Sequence, residues 1–228
     1  MSADRRAILA ALRRSAGPSP HPGAHPPPLL PSRWEDFAAA LTAAGGVAHG
    51  PLATRELAPA VADLAQKCAA RGPGEGILTD AATAARLGAG PWQALPEQTP
   101  PATAANVAVH IAQGRLGVAE CGAVALLGRA ASQRALLFLA RHLILVLDEA
   151  SLVPDLHTGF AQLPADAWGQ HHVTWISGPS KTADIEQTLV LGAHGPLSTH
   201  VVGVQPGREG QEGRRESRPS AAESSSPS

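Results

Sequence analysis

The residues with the clearest chemical potential lie at positions 175–186, Trp-Ile-Ser-Gly-Pro-Ser-Lys-Thr-Ala-Asp-Ile-Glu. The apolar start predicts a strand that ends at Ser177, the Gly-Pro pair predicts a turn, and the following residues predict a helix over 183–191. The first turn of a helix offers free N–H groups and a positive dipole end, which attract anions. We therefore predict a small-anion site formed by Ser177, Gly178, Ser180, Lys181 and Thr182.

Ordinary helix capping is the competing interpretation of this segment. Ser180 or Thr182 followed by an acidic residue is a common capping arrangement, and the GxxxxGK[ST] spacing of a P-loop is absent. Asp184 and Glu186 are two residues apart and would leave a helix on different sides, so they do not form a simple acid–base pair. Glu186 and His194 are kept as further candidate site residues, although a lone histidine at a helix end is more often a cap or a surface residue.

A second candidate is the carboxyl group in Ala119-Glu120-Cys121-Gly122, which stands in an otherwise apolar stretch. A partly buried carboxylate with a raised pKa can act as an acid, a base or a nucleophile, so Glu120 is the candidate catalytic residue. The alternative is that Glu120 hydrogen-bonds the backbone of a sharp turn. For Cys121 we favour a buried, unreactive thiol, because isolated cysteines usually behave as small hydrophobic residues.

No metal site is predicted, and no cofactor is expected in this chain. The histidines show no ligand spacing; those considered are His21, His25, His49, His110, His142, His157, His171, His172 and His200. The two cysteines, Cys68 and Cys121, form no CxxC pair. Their separation argues against a structural zinc site, a disulfide framework or an iron–sulfur cluster held by this chain alone.

Composition excludes several classes of protein. The formal net charge is −1 and no basic stripe is visible, so nucleic-acid binding is not expected. The most apolar window, Leu143 to Leu147, has the length of a strand and is far too short to span a bilayer. Basic residues near the N-terminus are not followed by a long apolar run, so we expect a cytoplasmic protein without a signal peptide.

The elements that must position these residues alternate between helix and strand. Apolar periodicity predicts helices at 3–14, 32–41, 54–70, 81–87, 152–163 and 183–191, and strands at 47–49, 76–80, 107–111, 123–127, 142–147, 173–177 and 200–204. This order predicts an α/β fold with a mostly parallel sheet, in which ligands bind at the carboxyl ends of the strands. We divide the chain into an N-terminal helix and Pro-rich linker at 1–31, an α/β domain at 32–205 and a disordered tail at 206–228.

One long segment resembles a known protein family. Residues 176–196, Ile-Ser-Gly-Pro-Ser-Lys-Thr-Ala-Asp-Ile-Glu-Gln-Thr-Leu-Val-Leu-Gly-Ala-His-Gly-Pro, are closely similar to the C-terminal signature of the LUD-domain family. Residues 119–123 are similar to the family's Ala-Glu-Thr-Gly-Thr stretch, with Cys121 and Ala123 in place of the threonines. The resemblance covers most of residues 32–205.

The resemblance implies a three-layer sandwich with a mostly parallel central sheet, of the NagB/RpiA/CoA-transferase-like group. It implies a role in the oxidation of L-lactate to pyruvate, as an accessory subunit beside two partner proteins that carry iron–sulfur clusters. The resemblance transfers no catalytic residue to this chain. The changes at Cys121 and Ala123 weaken any role that needs a hydroxyl group at that turn.

Two other functions remain open at this point. The chain can be a stand-alone transferase or ligase that acts on a phosphorylated, CoA-linked or folate-like substrate, with Glu120 as its acidic group and Lys181 on the anion. It can also be a regulatory module that senses a carboxylate metabolite. A shared fold does not decide between these functions.

Overall fold

The structure, a computed structural model, describes residues 3–15, 32–128, 130–163, 172–183 and 189–205. The helices are α1 (Ala3–Ser15), α2 (Trp34–Ala43), α3 (Thr54–Ala69), α4 (Ala81–Leu87), α5 (Ala131–Leu139) and α6 (Leu156–Gln162). The strands are β1 (Val47–Leu52), β2 (Glu75–Asp80), β3 (Gln93–Leu95), β4 (Val107–Gln113), β5 (Leu116–Val118), β6 (Ala123–Gly128), β7 (His142–Asp148), β8 (Leu152–Val153), β9 (His172–Ile176), β10 (Lys181–Ala183), β11 (Leu189–Leu191) and β12 (Ser198–Val204).

A six-stranded sheet forms the centre of the fold, in the order β1-β12-β7-β4-β2-β3. Every neighbouring pair in this sheet is parallel. The last strand in the sequence, β12, therefore lies between the first strand and β7. The predicted mostly parallel α/β fold is confirmed.

Helices cover both faces of this sheet, which gives the three layers. Leu143 and Leu145 of β7 pack in one apolar cluster with α2, whereas Ile144 and Val146 pack in another with α3. A strand with apolar side chains on both faces reads as a continuous hydrophobic run, and this is the pattern of 142–147.

A second, four-stranded sheet has the order β8-β5-β6-β9. Its strand β6 pairs antiparallel with both β5 and β9. The predicted strand at 173–177 is therefore present, but it does not join the parallel sheet. The short strands β3, β5 and β8, and helix α5, were not predicted.

The predicted helix over 183–191 is wrong at its described ends, and residues 184–188 lie outside the described residues. Strands β10 and β11 form an antiparallel pair instead, with Thr182 opposite Val190. The Gly192 N–H donates to the Ser180 carbonyl at 2.9 Å and extends this ladder. Thr182 and Val190 are both β-branched and suit a strand. Cross-strand pairing therefore overrides the weak helical preference of the segment.

Two predicted helix starts shift, and a third is unchanged. The helix predicted from residue 152 begins at Leu156, because the Asp155 carboxylate accepts the Thr158 N–H at 2.8 Å and caps it there. The helix predicted from residue 32 begins at Trp34. The helix predicted from residue 54 begins at Thr54, as α3.

The predicted N-terminal helix is present as α1, and its apolar residues Ile8, Leu9 and Leu12 are exposed. The predicted linker at 17–31 and the predicted tail at 206–228 lie outside the described residues. The division into domains therefore stays a prediction. Within the described ranges, no helix combines the length and the apolar character needed to cross a membrane.

Candidate functional site

The two segments selected from the sequence meet in space. Strands β6 and β9 pair antiparallel, with Val124 opposite Ile176, and this brings the turn before β6 to the end of β9. There the Ser177 hydroxyl donates to the Cys121 carbonyl oxygen at 2.6 Å. This bond occupies the Ser177 hydroxyl with a structural contact.

Glu120 is exposed, so the prediction of a partly buried carboxylate is wrong. Its carboxylate accepts the Leu156 N–H at 3.4 Å, and its own N–H donates to the Pro154 carbonyl at 3.0 Å. These contacts agree with the structural alternative, in which Glu120 hydrogen-bonds the backbone near a turn. The transferase or ligase hypothesis loses the buried acid on which it depended.

Cys121 is half-buried beside this turn. Burial raises the pKa of its thiol, the Ala123 backbone opposes that shift, and the Glu120 charge adds to it. A thiol with a raised pKa is protonated at neutral pH and is a poor nucleophile. The favoured interpretation of Cys121 as an unreactive residue is consistent with these surroundings.

The turn at 178–181 packs on the C-terminal end of α2. A Cβ atom on Gly178, whose φ is +75°, would lie 2.5 Å from the Ala44 carbonyl oxygen. A Cβ atom on Gly45 would lie 2.8 Å from Lys181 Nζ, so the ammonium group rests at this helix end. A cation is stabilised there by the negative end of the helix dipole.

The predicted anion site was argued on a helix that starts near Thr182, but the described residues there, Lys181–Ala183, form strand β10. The Ser180 N–H donates to the Pro196 carbonyl at 3.0 Å and is not free for a ligand. Thr182 belongs to strand β10. Glu186 lies outside the described residues, and His194 is exposed in the turn that follows β11. Anion binding by these residues stays a prediction.

A cleft lies at the amino ends of the strands of the central sheet, whereas the ligand site was predicted at their carboxyl ends. Its volume is about 270 Å³, and it is lined by the residues that lead into β2, β4, β7 and β12. Asn106 and Arg141 supply polar groups, and Gly192, Gly195 and Leu197 supply one wall. The amino ends of the parallel strands thus carry this cleft, and the second half of the 176–196 segment borders it.

Arg141 is held firmly at this cleft. Its N–H donates to the Val107 carbonyl at 2.9 Å, and its carbonyl accepts the Leu197 N–H at 2.8 Å. Its guanidinium lies over Gly72, where an added Cβ atom would be 2.8 Å from the nearest nitrogen. Its buried Nε has no hydrogen-bond partner among the described residues. A buried donor without a partner is costly, and a bound anion would satisfy it.

Behind Arg141 lies a hydrogen-bonded array of histidines that the sequence did not predict. His142 Nδ1 is 2.7 Å from Ser198 Oγ, and Ser198 Oγ is 3.0 Å from His200 Nε2. His200 Nδ1 is 3.1 Å from His49 Nε2, with the two rings stacked at a centroid distance of 5.3 Å. We call these four side chains the histidine array.

The array is assembled by strand register. Ser198 pairs with His142, and His200 pairs with Val47 two residues before His49. His142 and His200 are the first residues of predicted strands, and His49 is the last residue of the predicted strand at 47–49. These positions are the only signal of the array in the sequence. The spacing of the histidines along the sequence did not indicate the array, because its contacts join residues on different strands.

The surroundings keep the histidines neutral. Burial, together with the charges of His49, His142 and Arg71, lowers the pKa of His200 to about 4. Burial also lowers the pKa of His142, together with the charges of Arg141 and Arg71. Burial alone lowers the pKa of His49. Positive guanidinium groups beside an imidazole disfavour its protonated form.

The array is not a metal centre by its geometry. Across the described residues, no group of three or more His, Cys, Asp or Glu side chains is arranged to hold a metal ion. The Cys68 sulfur is 3.7 Å from His200 Nε2, and burial raises the pKa of its thiol. The neutral thiol is a weak partner of the array rather than a thiolate ligand.

Comparisons with known proteins agree with this architecture. A family model described as the LUD domain matches residues 80–204. Lactate utilization protein C of Geobacillus thermodenitrificans is 34% identical over 100 residues, which cover 42% of this chain and 42% of that protein. Lactate utilization protein C of Bacillus pumilus is 36% identical over 86 residues, which cover 35% of each. The aligned part is thus less than half of either relative.

A crystal structure of a DUF162 family protein from Deinococcus radiodurans shares the fold, with a TM-score of 0.56. It is 20% identical and covers 75% of this chain and 94% of that chain. Fold and cleft together define an α/β protein in which a C-terminal segment closes over the amino ends of a parallel sheet. The match over residues 80–204 then identifies the family: the chain belongs to the LUD domain family.

Proposed function

We propose that this protein takes part in lactate utilization, as an accessory subunit of an iron–sulfur system that oxidises L-lactate to pyruvate. The proposal is supported by membership of the LUD domain family and by similarity to relatives named lactate utilization protein C. Its partners would be two iron–sulfur proteins, which would carry the redox cofactors.

The chain's own cysteines do not suit an iron–sulfur cluster. Such clusters need four ligands, usually cysteine thiolates. Cys68 is buried with α3 on one face of the central sheet, and Cys121 packs against the second sheet. We therefore propose that the clusters are carried by the partner proteins and not by this chain.

Within that role, we propose that the cleft binds a small carboxylate through Arg141. The observation that carries this step is the buried Arg141 Nε without a partner, at a cleft that is lined by Gly192 and Gly195 of the family segment. Carboxylates accept strong, charge-assisted hydrogen bonds from guanidinium groups. A volume of about 270 Å³ suits a small metabolite better than a cofactor.

Calorimetry with L-lactate and pyruvate tests the carboxylate site. Removal of a hydrogen bond to a charged group costs about 1.5–3 kcal/mol, so Arg141→Gln should weaken binding by about tenfold or more. Arg55→Gln is the matched control, because the Arg55 side chain is 85% exposed on α3 and should leave binding unchanged. Equal affinity of Arg141→Gln and the wild type would refute the assignment.

The wider role needs a cellular test. Deletion of this chain should abolish growth on L-lactate, and the tagged protein should copurify with two iron–sulfur proteins. Restoration by the wild type and by Arg55→Gln, but not by Arg141→Gln, would link the cleft to that role. A deletion strain that oxidises lactate at the normal rate would end the proposal.

A further inference from the structure

The histidine array makes a continuous hydrogen-bonded path from the edge strand β1 to His142, the residue that follows the cleft-lining Arg141. His49 is half-buried on the edge strand β1, and His142 is only 5% exposed at the start of β7. Three contacts of 2.7 to 3.1 Å join them through Ser198 and His200. The His49 end of the path is therefore partly accessible to water, and the His142 end is buried.

Every member of this path can both donate and accept a proton. A neutral imidazole carries one N–H and one bare nitrogen, and a hydroxyl group donates one hydrogen while it accepts another. The three contacts can therefore all be satisfied in two ways with every group neutral. In one, each group donates toward His142; in the other, each group donates toward His49.

The inner end of the path is incomplete. With His142 Nδ1 bonded to Ser198, the other ring nitrogen, Nε2, is buried without a partner among the described residues. The next residue, Arg141, lines the cleft and has its own buried nitrogen without a partner. Both of these buried nitrogens need a polar partner, which a water molecule or a polar ligand supplies.

The charges around the path disfavour storage of a proton on it. The titratable and charged groups that act on His142 and His200 are Arg71 and Cys68 at the end of α3, Arg141, and His49 on β1. Arg71 and Arg141 are positive, and Cys68 is a neutral thiol because burial raises its pKa. A proton that enters at one end is therefore expected to leave at the other.

We propose that His49, His200, Ser198 and His142 form a proton relay that serves a ligand bound beside Arg141. The ligand class is a small hydroxy- or oxo-carboxylate, and this part rests on the proposed function. The carboxylate would be held by Arg141, and its hydroxyl or oxo group would meet His142 Nε2.

The relay conserves protons at every step. A ligand proton moves to His142 Nε2, and the proton on His142 Nδ1 moves to Ser198 Oγ. The Ser198 proton moves to His200 Nε2, and the proton on His200 Nδ1 moves to His49 Nε2. The proton on His49 Nδ1 then leaves to water. The reverse sequence delivers a proton to the ligand, and no oxidant or reductant is required.

Solvent exchange of the His142 ring proton tests the relay without any ligand. In protein labelled with ¹⁵N-histidine, NMR gives the exchange rate of this proton with water. Ser198→Ala removes the central link and should slow that exchange by at least about tenfold, since a positioned proton-transfer group typically contributes more than this. Ser198→Thr keeps a hydroxyl group and should restore the rate, and His157→Gln, at an exposed histidine on α6, should not change it.

A second variant guards against loss of fold. His49→Gln breaks the outer end of the relay on an edge strand and should also slow the exchange, while backbone amide protection of β12 stays at the wild-type level. Equal exchange rates in wild type, Ser198→Ala and His49→Gln would overturn the relay. The carboxylate proposal would still stand or fall separately, by the affinity of Arg141→Gln.

Discussion

At the scale of single residues, the fold keeps several histidines in the neutral form. His110 is 2% exposed, and its Nδ1 lies 3.1 Å from the Leu78 carbonyl oxygen, so it donates there. Burial lowers the pKa of His110 to about 4, against the opposing effects of the Leu78 hydrogen bond and the Asp80 charge. Protonation would place an unpaired charge inside the sheet.

His110 therefore gives a pH dependence of stability. In the unfolded chain the His110 side chain binds a proton below its ordinary pKa of 6.5. In the folded chain it binds that proton only near pH 4. The contribution of His110 to the free energy of unfolding is fully present above pH 6.5 and falls as the pH drops toward 4, by about 2–3 kcal/mol between pH 7.5 and 4.5. His110→Asn keeps a donor for Leu78 but does not titrate, so it should lose less stability over this range.

Urea unfolding at the two pH values measures this difference. The loss on acidification should be smaller in His110→Asn than in the wild type by about that amount. His157→Gln, at an exposed position, should show the wild-type loss. An identical acid loss in His110→Asn and the wild type would show that another group is responsible.

At the scale of elements, the turn between β5 and β6 is fitted against α2 without spare room. Gly122 has φ +64°, and a Cβ atom there would lie 2.3 Å from the Leu41 backbone nitrogen. Backbone atoms inside a helix cannot move away as the end of a side chain can. The same helix end receives Gly178 and Lys181, so the two candidate segments are positioned by α2.

Gly122→Ala should destabilise the protein by more than about 3 kcal/mol, because overpacking adds to the cost of a left-handed backbone. Gly76→Ala is the matched control: its φ is +72°, but the nearest atom to an added Cβ is Leu78 Cδ2 at 3.9 Å. It should cost only about 1–2 kcal/mol of backbone strain. Thermal unfolding that places both variants at the same stability would contradict the packing argument.

At the scale of the whole molecule, β12 is the last strand in the sequence but lies inside the central sheet, between β1 and β7. It pairs with β7 from Ser198 to Val204 and with β1 on its other side. The Gln205 N–H then donates to the Leu52 carbonyl at 2.8 Å, and this is the last described residue. Through β12, the C-terminal end of the described α/β region is hydrogen-bonded to β1, its first strand.

Two truncations test this dependence. A chain that ends at Gln205 keeps every described contact of β12 and should melt at the wild-type temperature. A chain that ends at Leu197 loses the strand between β1 and β7, and it should be insoluble or lack a cooperative melt because two strands lose their neighbour. Far-UV circular dichroism during heating distinguishes the two, and a cooperative melt of the shorter chain would disprove the dependence.

The sequence alone determined the features that depend on neighbours along the chain. The continuous apolar run at 142–147 indicated a strand buried on both faces, and the alternation of helices and strands indicated a parallel α/β sheet. The 176–196 segment indicated the family by its sequence alone. Local periodicity and a long contiguous signature are sufficient for such conclusions.

Only the tertiary structure decided where the chemistry lies. The 183–191 segment reads as a helix, yet its ends pair as strands, because cross-strand contacts outweigh local preference. Glu120 reads as buried because its neighbours are apolar, but its exposure depends on what packs over the turn. His49 and His200 are 151 residues apart and meet only through strand order, so a contact between them has no local signal in the sequence. Arg141 gains its importance in the same way, from a cleft that four separate loops enclose at the amino ends of the strands.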